Sequence, residues 1–130
     1  SIEILKLIIE REAPKEIHIT TWSYNEDFVD LCRQCLESGI TIYFFVDKSI
    51  KTRKSHLYAQ MVDLSFQYNS LKIKIHHMLH SKVTLIKSDK KHISIEGSGN
   101  MSDNARIEQY RYENNKEAFE FHKQWMREIT

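Results

Sequence analysis

Directly after Gly39 comes Ile40-Thr41-Ile42-Tyr43-Phe44-Phe45-Val46, a nearly unbroken apolar run. A strand of this composition has no side to turn toward water. It suits the interior of a parallel sheet, covered on both faces by helices. The flanking sequence supplies the rest of such an arrangement. Residues 2–11 carry Ile2, Leu5 and Ile9 on one stripe and read as a helix that Pro14 closes. Glu16-Ile17-His18-Ile19-Thr20-Thr21-Trp22 alternates and is β-branched, so it reads as a strand. Asn25 then caps a helix with Phe28, Leu31, Cys32, Cys35 and Leu36 at helical spacing, and Gly39 ends it.

Beyond the apolar run, a helix is expected from Thr52 to Tyr68, with Leu57, Met61, Leu64 and Tyr68 on one side. Strict alternation marks Leu71–Ile75 as a strand. Lys82–Lys87 and Lys91–Glu96 read as two more, joined by a tight turn at Ser88-Asp89-Lys90. A short helical turn is expected from Asn100 or Ser102, and Arg106–Tyr112 is the last strand. Asn114 and Glu117 have capping-box spacing and open a final helix, with Ala118, Phe119, His122, Trp125, Met126 and Ile129 facing inward. The order α-β-α-β-α-β-β-β-β-α implies an α/β fold: a mixed, mostly parallel sheet flanked by helices on both faces, with right-handed crossovers in its first half.

The 130 residues are expected to form one domain, 1–130, long enough for its own core. With a formal net charge of +1, any polyanion must be held by a local patch rather than by a global field. No apolar stretch is long enough to span a bilayer, and no membrane partner is expected. The N-terminal apolar run is short and flanked by acids, without the basic start of a secretory signal. Cys32 and Cys35 form a lone C-x-x-C inside a helical pattern, which reads as two helix residues that are at least half buried rather than a zinc half-site or redox pair. A reducing, cytoplasmic location is consistent with this cysteine usage.

The chemistry-bearing residues come late in the chain. His80-Ser81-Lys82 precedes one strand, and Gly97-Ser98-Gly99-Asn100 follows the next, with Glu108 beyond it. A phosphodiester resists nucleophiles because its anionic oxygens repel them. A neutral imidazole, His80, can attack phosphorus and form a covalent intermediate. Lys82, two residues on, leaves an extended chain on the same side and can set its ammonium against a non-bridging oxygen. Ser98 and Asn100 repeat that spacing with hydrogen-bond donors, the kind of preorganised group that stabilises developing charge. Gly97 and Gly99 let the backbone approach the phosphate. Glu108, accepting the other imidazole N–H, would orient the ring.

The pattern H-x-K … G-S-x-N … E resembles the active-site motif of the phospholipase D superfamily, carried here by His80, Lys82, Gly97, Ser98 and Asn100, with Glu108 by position. Ser38–Asp47 looks like the family's helix-Gly-strand-Asp segment, and the looser likeness extends over residues 16–130. Lys87 stands where the family pattern has an Asp, and the spacing to the Gly-Ser is longer by about the length of the hairpin turn. The resemblance implies a phospholipase D-like half and a metal-independent phosphodiesterase, a hydrolase working through phosphohistidine with no cofactor. Nucleic acid, DNA or RNA, is the expected substrate, which makes the chain a nuclease and most plainly an endonuclease. The family mechanism uses two such motifs, and this chain holds one. The resemblance therefore also implies a homodimer whose two His80 imidazoles face one phosphorus. The alternative is a catalytically weak or inactive module that binds nucleic acid or a protein within a larger helicase- or restriction-type system.

Three other features carry weaker signals. His76 and His77 with His80 suggest a metal cluster, but adjacent extended residues point apart, and no metal site is expected. Lys51, Arg53 and Lys54 open a helix where basic residues oppose the dipole, and they are candidates to line a groove for a nucleic-acid backbone. Trp22, Tyr24, Tyr110 and Tyr112 can stack on bases, although core or interface positions are the favoured reading.

Overall fold

The computed structural model describes residues 2–77, 79, 81–97 and 110–128. Helix α1 (Ile2–Glu12) leads through Pro14 into β1 (Glu16–Thr21), followed by α2 (Glu26–Glu37) and β2 (Thr41–Asp47). A short α3 (Ile50–Arg53) and α4 (Ser55–Gln67) precede β3 (Leu71–His76). The remaining elements are β4 (Val83–Lys87), β5 (His92–Gly97), β6 (Tyr110–Asn114) and α5 (Lys116–Glu128). Among the described residues six strands form one mixed sheet in the order β3-β2-β1-β4-β5-β6. The β1–β2 and β2–β3 pairs are parallel, whereas β1–β4, β4–β5 and β5–β6 are antiparallel.

The local signals explain most boundaries. The Asn25 side chain accepts the Phe28 amide and caps α2. Gly39, at φ +86, takes the left-handed conformation that closes that helix, and the Ile40 amide returns to the Cys35 carbonyl. A two-residue turn, Asp89-Lys90, joins β4 to β5, closed by the Ser88 amide on the Lys91 carbonyl.

Three expectations are corrected. The helix expected over Thr52–Tyr68 is two helices, because Lys54 at φ −140, ψ 60 breaks the ladder between α3 and α4. The cap of α5 is Asn115, whose Oδ1 accepts the Glu117 and Ala118 amides, whereas Asn114 Oδ1 accepts the His92 amide across the sheet. The last strand, described over Tyr110–Asn114, continues two residues beyond the expected end at Tyr112, whereas its expected start at Arg106 and the turn expected at Asn100 or Ser102 lie outside the described residues.

Helices cover both faces of the sheet. On one face α1, α2 and α4 bury Leu5, Phe28, Leu36, Met61 and Leu64 against Ile17, Ile19, Ile42, Phe44 and Ile93. Tyr24 is fully buried there among Phe28 and Phe44, a core position. On the other face α5 sets Phe119 and Met126 over Phe45, Val83 and Leu85. The alternation along β2, Phe44 to one side and Phe45 to the other, is the two-sided burial that its composition requires.

Candidate active edge

The carboxyl ends of β1 and β2, the start of β4, the end of β5 and the start of β6 all lie along one edge of the sheet. In α/β sheets this is the edge where ligands bind. Both motif segments reach it. Leu79, Ser81 and Lys82 lead into β4 here, and Gly97 ends β5 beside Tyr110 of β6. The Gly97 amide donates to the Lys82 carbonyl at 3.2 Å, so the last residue of H-x-K and the first of G-S-x-N are backbone neighbours. Lys82 is half-buried. His80, Ser98, Gly99, Asn100 and Glu108 lie outside the described residues.

Two buried polar side chains hold the approach to the H-x-K segment. Asp47 ends β2 and receives the Leu79 amide on Oδ1 at 2.8 Å, while its Oδ2 accepts the amide and hydroxyl of Ser49. Thr20 is next in register opposite Val83. Its hydroxyl accepts the Val83 amide at 2.9 Å and donates to the Val83 carbonyl at 3.3 Å, and it also accepts from the Ser81 hydroxyl at 3.3 Å. A side chain thus replaces the next rung of the β1–β4 ladder and fixes where β4 begins. Asp47 carries a sequence signal, an acid closing an apolar strand. Thr20 carries none, since it is one of two threonines in a β-branched strand.

The basic residues expected to line a groove sit close by, anchored to the loop after β1. Arg53 donates to the Trp22 carbonyl at 2.7 Å and to Ser49 Oγ at 2.8 Å, and its guanidinium lies 3.5 Å from the Trp22 ring centroid. Lys54 Nζ donates to the Tyr24 carbonyl at 3.0 Å. Lys51 remains exposed, its ammonium 5.7 Å from the Tyr58 ring centroid. Leu79, Asp47, Ser49, Arg53 and Trp22 therefore form one continuous chain of contacts.

The α5 face carries further polar groups. His122 Nε2 lies 2.9 Å from Glu96 Oε1, and the Trp125 indole donates to His122 Nδ1 at 2.8 Å, which leaves the imidazole proton on the nitrogen facing Glu96. Glu96 is the residue before Gly97. Further from the edge, His18 stacks on Tyr43 and pairs with Glu16, which Lys123 also approaches at 3.4 Å. Burial holds the His18 pKa below the ordinary histidine value, opposed by the Glu16 carboxylate. Cys32 and Cys35 are buried and unpaired, and burial raises both thiols, Cys35 to about 11, so neither is a ready nucleophile or ligand. Among the described residues no group of three His, Cys, Asp or Glu side chains gathers as a metal ion requires, and no helix is long and apolar enough to cross a membrane.

No family model matches the chain, and no curated protein matches it by sequence. Solved structures do share its fold. Polyphosphate kinase from Porphyromonas gingivalis superposes with a TM-score of 0.73 at 16% identity, over 97% of this chain and 23% of that one. TrmBL2, an archaeal chromatin protein whose structure shows a novel mode of DNA binding, superposes with a TM-score of 0.66 at 11% identity, over 95% of this chain and 46% of that one. At these identities the likeness is one of fold, and the chain spans about a quarter and under half of the two molecules.

Proposed function

We propose that this chain is a metal-independent phosphodiesterase acting on nucleic acid through a phosphohistidine, with a site completed across a homodimer. The observation that supports the reading is the backbone contact between Lys82 and Gly97, the last residue of H-x-K and the first of G-S-x-N, at the end of the sheet where α/β folds bind ligands. The fold likeness to polyphosphate kinase, a phospholipase D superfamily member, supports it.

In this reading one His80 attacks phosphorus, forming the P–N bond as the P–O bond to the leaving group breaks. The partner's His80, protonated, gives its proton to that leaving oxygen. The second imidazole, now neutral, takes a proton from water, and the resulting attack releases the phosphate ester and restores the first His80. Lys82, Ser98 and Asn100 neutralise the non-bridging oxygens, Gly97 and Gly99 admit the backbone, and Glu108 orients its imidazole. Lys51, with Arg53 and Lys54 behind it, faces the flanking nucleic-acid backbone.

The test is cleavage of single- and double-stranded DNA and RNA in EDTA, with a covalent intermediate trapped by alkaline denaturation. Wild type should cleave and label, and His80→Ala should do neither while keeping its fold. Undiminished cleavage by His80→Ala defeats the proposal. The fold likeness to TrmBL2 favours a second reading, a binding module without turnover. Tight binding of DNA with neither cleavage nor labelling would establish that one instead.

A further inference from the structure

Strand β6 is the outer strand of the sheet beyond β5, and its sequence is Tyr110-Arg111-Tyr112-Glu113-Asn114. Its hydrogen-bonding phase can be read from its neighbour. The Asn115 amide donates to the His92 carbonyl, so the narrow pairs with β5 continue at Ser94↔Glu113 and Glu96↔Arg111. The amides and carbonyls of Arg111 and Glu113 therefore face β5, and those of Tyr110, Tyr112 and Asn114 face the side away from β5, where no other strand of the described residues pairs.

The charges obey a second constraint. When an antiparallel copy of β6 is centred on Tyr112, Tyr112 stands opposite itself and Tyr110 opposite Asn114, which are the residues whose backbone groups face outward. In that register Arg111 lies directly across from Glu113 of the other copy, and Glu113 from its Arg111. Edge strands usually carry charge that discourages pairing. Here Arg111 and Glu113 already approach each other along the strand, at 3.7 Å, and self-pairing would set each beside an opposite charge on the other copy as well. The side chains of Arg111 and Glu113 lie on the α5 face, and Tyr112, opposite Ile95, lies on the α1 face.

On that α1 face Tyr112 is 53% exposed and closes one side of a groove of about 620 Å³ with Ile4, Leu7 and Ile8 of α1, where Leu7 is 66% exposed, and the groove is bordered by Glu10, Arg11 and Glu12. A second Tyr112 on the two-fold axis would lie against the first and cover the apolar part of this surface. Register, charge and apolar cover thus select the same occupant.

We infer that β6 is a self-association surface, on which a second copy of this chain adds its own β6 antiparallel about Tyr112 and joins two six-stranded sheets into one. This goes beyond the proposed function and does not depend on it. Antiparallel pairing sends the two candidate active edges to opposite ends of the joined sheet, so this contact is not the one that would share a site. A chain with both two-fold contacts builds a tetramer if they close and a filament if they do not.

Charge exchange tests the register. Arg111→Glu places acid opposite acid, and Glu113→Arg places base opposite base. Each variant alone should associate roughly tenfold or more weakly, because two attractive cross-strand pairs become two repulsive ones. Mixed in equal amounts, the two variants are complementary at both positions and should recover the wild-type mass by light scattering or sedimentation. Recovery on mixing also shows that both are folded. Tyr112→Cys should cross-link to its own copy on mild oxidation, since paired Cα atoms about 5.5 Å apart are within disulfide reach. A wild type that stays monomeric at high concentration, charge variants with wild-type mass, or a mixture that fails to regain it would each overturn the inference.

Discussion

The two faces of the sheet are built to different standards. The face under α1, α2 and α4 is almost wholly apolar at its centre: Ile17, Ile19, Ile42, Phe44, Ile93 and Ile95 meet Leu5, Phe28, Leu36 and Met61. The face under α5 mixes Phe45, Val83, Leu85 and Phe119 with His18, Thr20, Asp47, Ser94 and Glu96. A buried polar group is costly unless its hydrogen bonds are made. The α5 face therefore gives up some stability to hold groups in place, and most of them either fix the loop before β4 or border Gly97. Two buried hydroxyls find no partner among the described residues, that of Ser94 on this face and that of Tyr24 on the other. The first face buries the larger apolar cluster, and the second adds to a smaller one the polar groups that hold the approach to β4.

Substitutions can break or sharpen that contrast. The largest stability effect belongs to the apolar face. Phe44→Ala removes a fully buried ring packed on Tyr24 and Phe28, and should cost about 3–5 kcal/mol in urea unfolding with per-molecule activity kept in the folded fraction. A loss under about 1 kcal/mol would mean that this face is not the principal core. Asp47→Asn should cost less, about 1.5–3 kcal/mol, because it weakens charge-assisted bonds to Leu79 and Ser49. Its effect on cleavage should be the larger one, seen in kcat rather than KM. Equal activity at equal folding would show that the approach to H-x-K needs no such anchor.

The same contrast predicts a pH dependence. His18 and Glu16 both have lowered pKa values, so the unfolded chain binds more protons than the folded one as pH falls. The His18 contribution is present above the ordinary histidine range near pH ~6.5 and is lost as pH drops through the depressed folded value. The Glu16 contribution is lost lower still, below about 4.5. Urea midpoints measured from pH 7.5 downward should decline, and His18→Gln should flatten the upper part of that decline. An unchanged profile in the variant would remove His18 as its source. The smallest effect separates two neighbours: Asn115→Ala should cost about 1 kcal/mol as a lost helix cap, and Asn114→Ala less, since it loses one exposed bond to His92. The reverse order would restore Asn114 as the cap.

What could be read in advance follows interaction range. Asn25, Gly39 and the spacing of Phe28, Cys32 and Leu36 announce α2 because caps and amphipathic stripes act within a few residues. The misplacements, Asn114 for Asn115 and one helix for α3 and α4, are errors of a residue or one turn. In both cases tertiary contacts decided between near-equal local choices: Asn114 was taken by His92, and Lys54 by the Tyr24 carbonyl. Thr20 was invisible because its partners Ser81 and Val83 are more than sixty residues away.

The amino-acid order alone therefore determined that helices and strands would alternate, that β2 would be covered on both sides, and that a phosphoester-type pattern would flank two adjacent strands. Hydrophobic period and spacing carry that information, and both are local. Only the tertiary structure decided that β4 enters beside β1 in the opposite direction. That pairing puts the H-x-K approach, Gly97 and the ends of β1 and β2 on one edge, and makes β6, with Arg111, Tyr112 and Glu113, the outer strand among the described residues. Strand order and edge exposure arise from contacts between distant segments, which no short stretch of sequence encodes by itself.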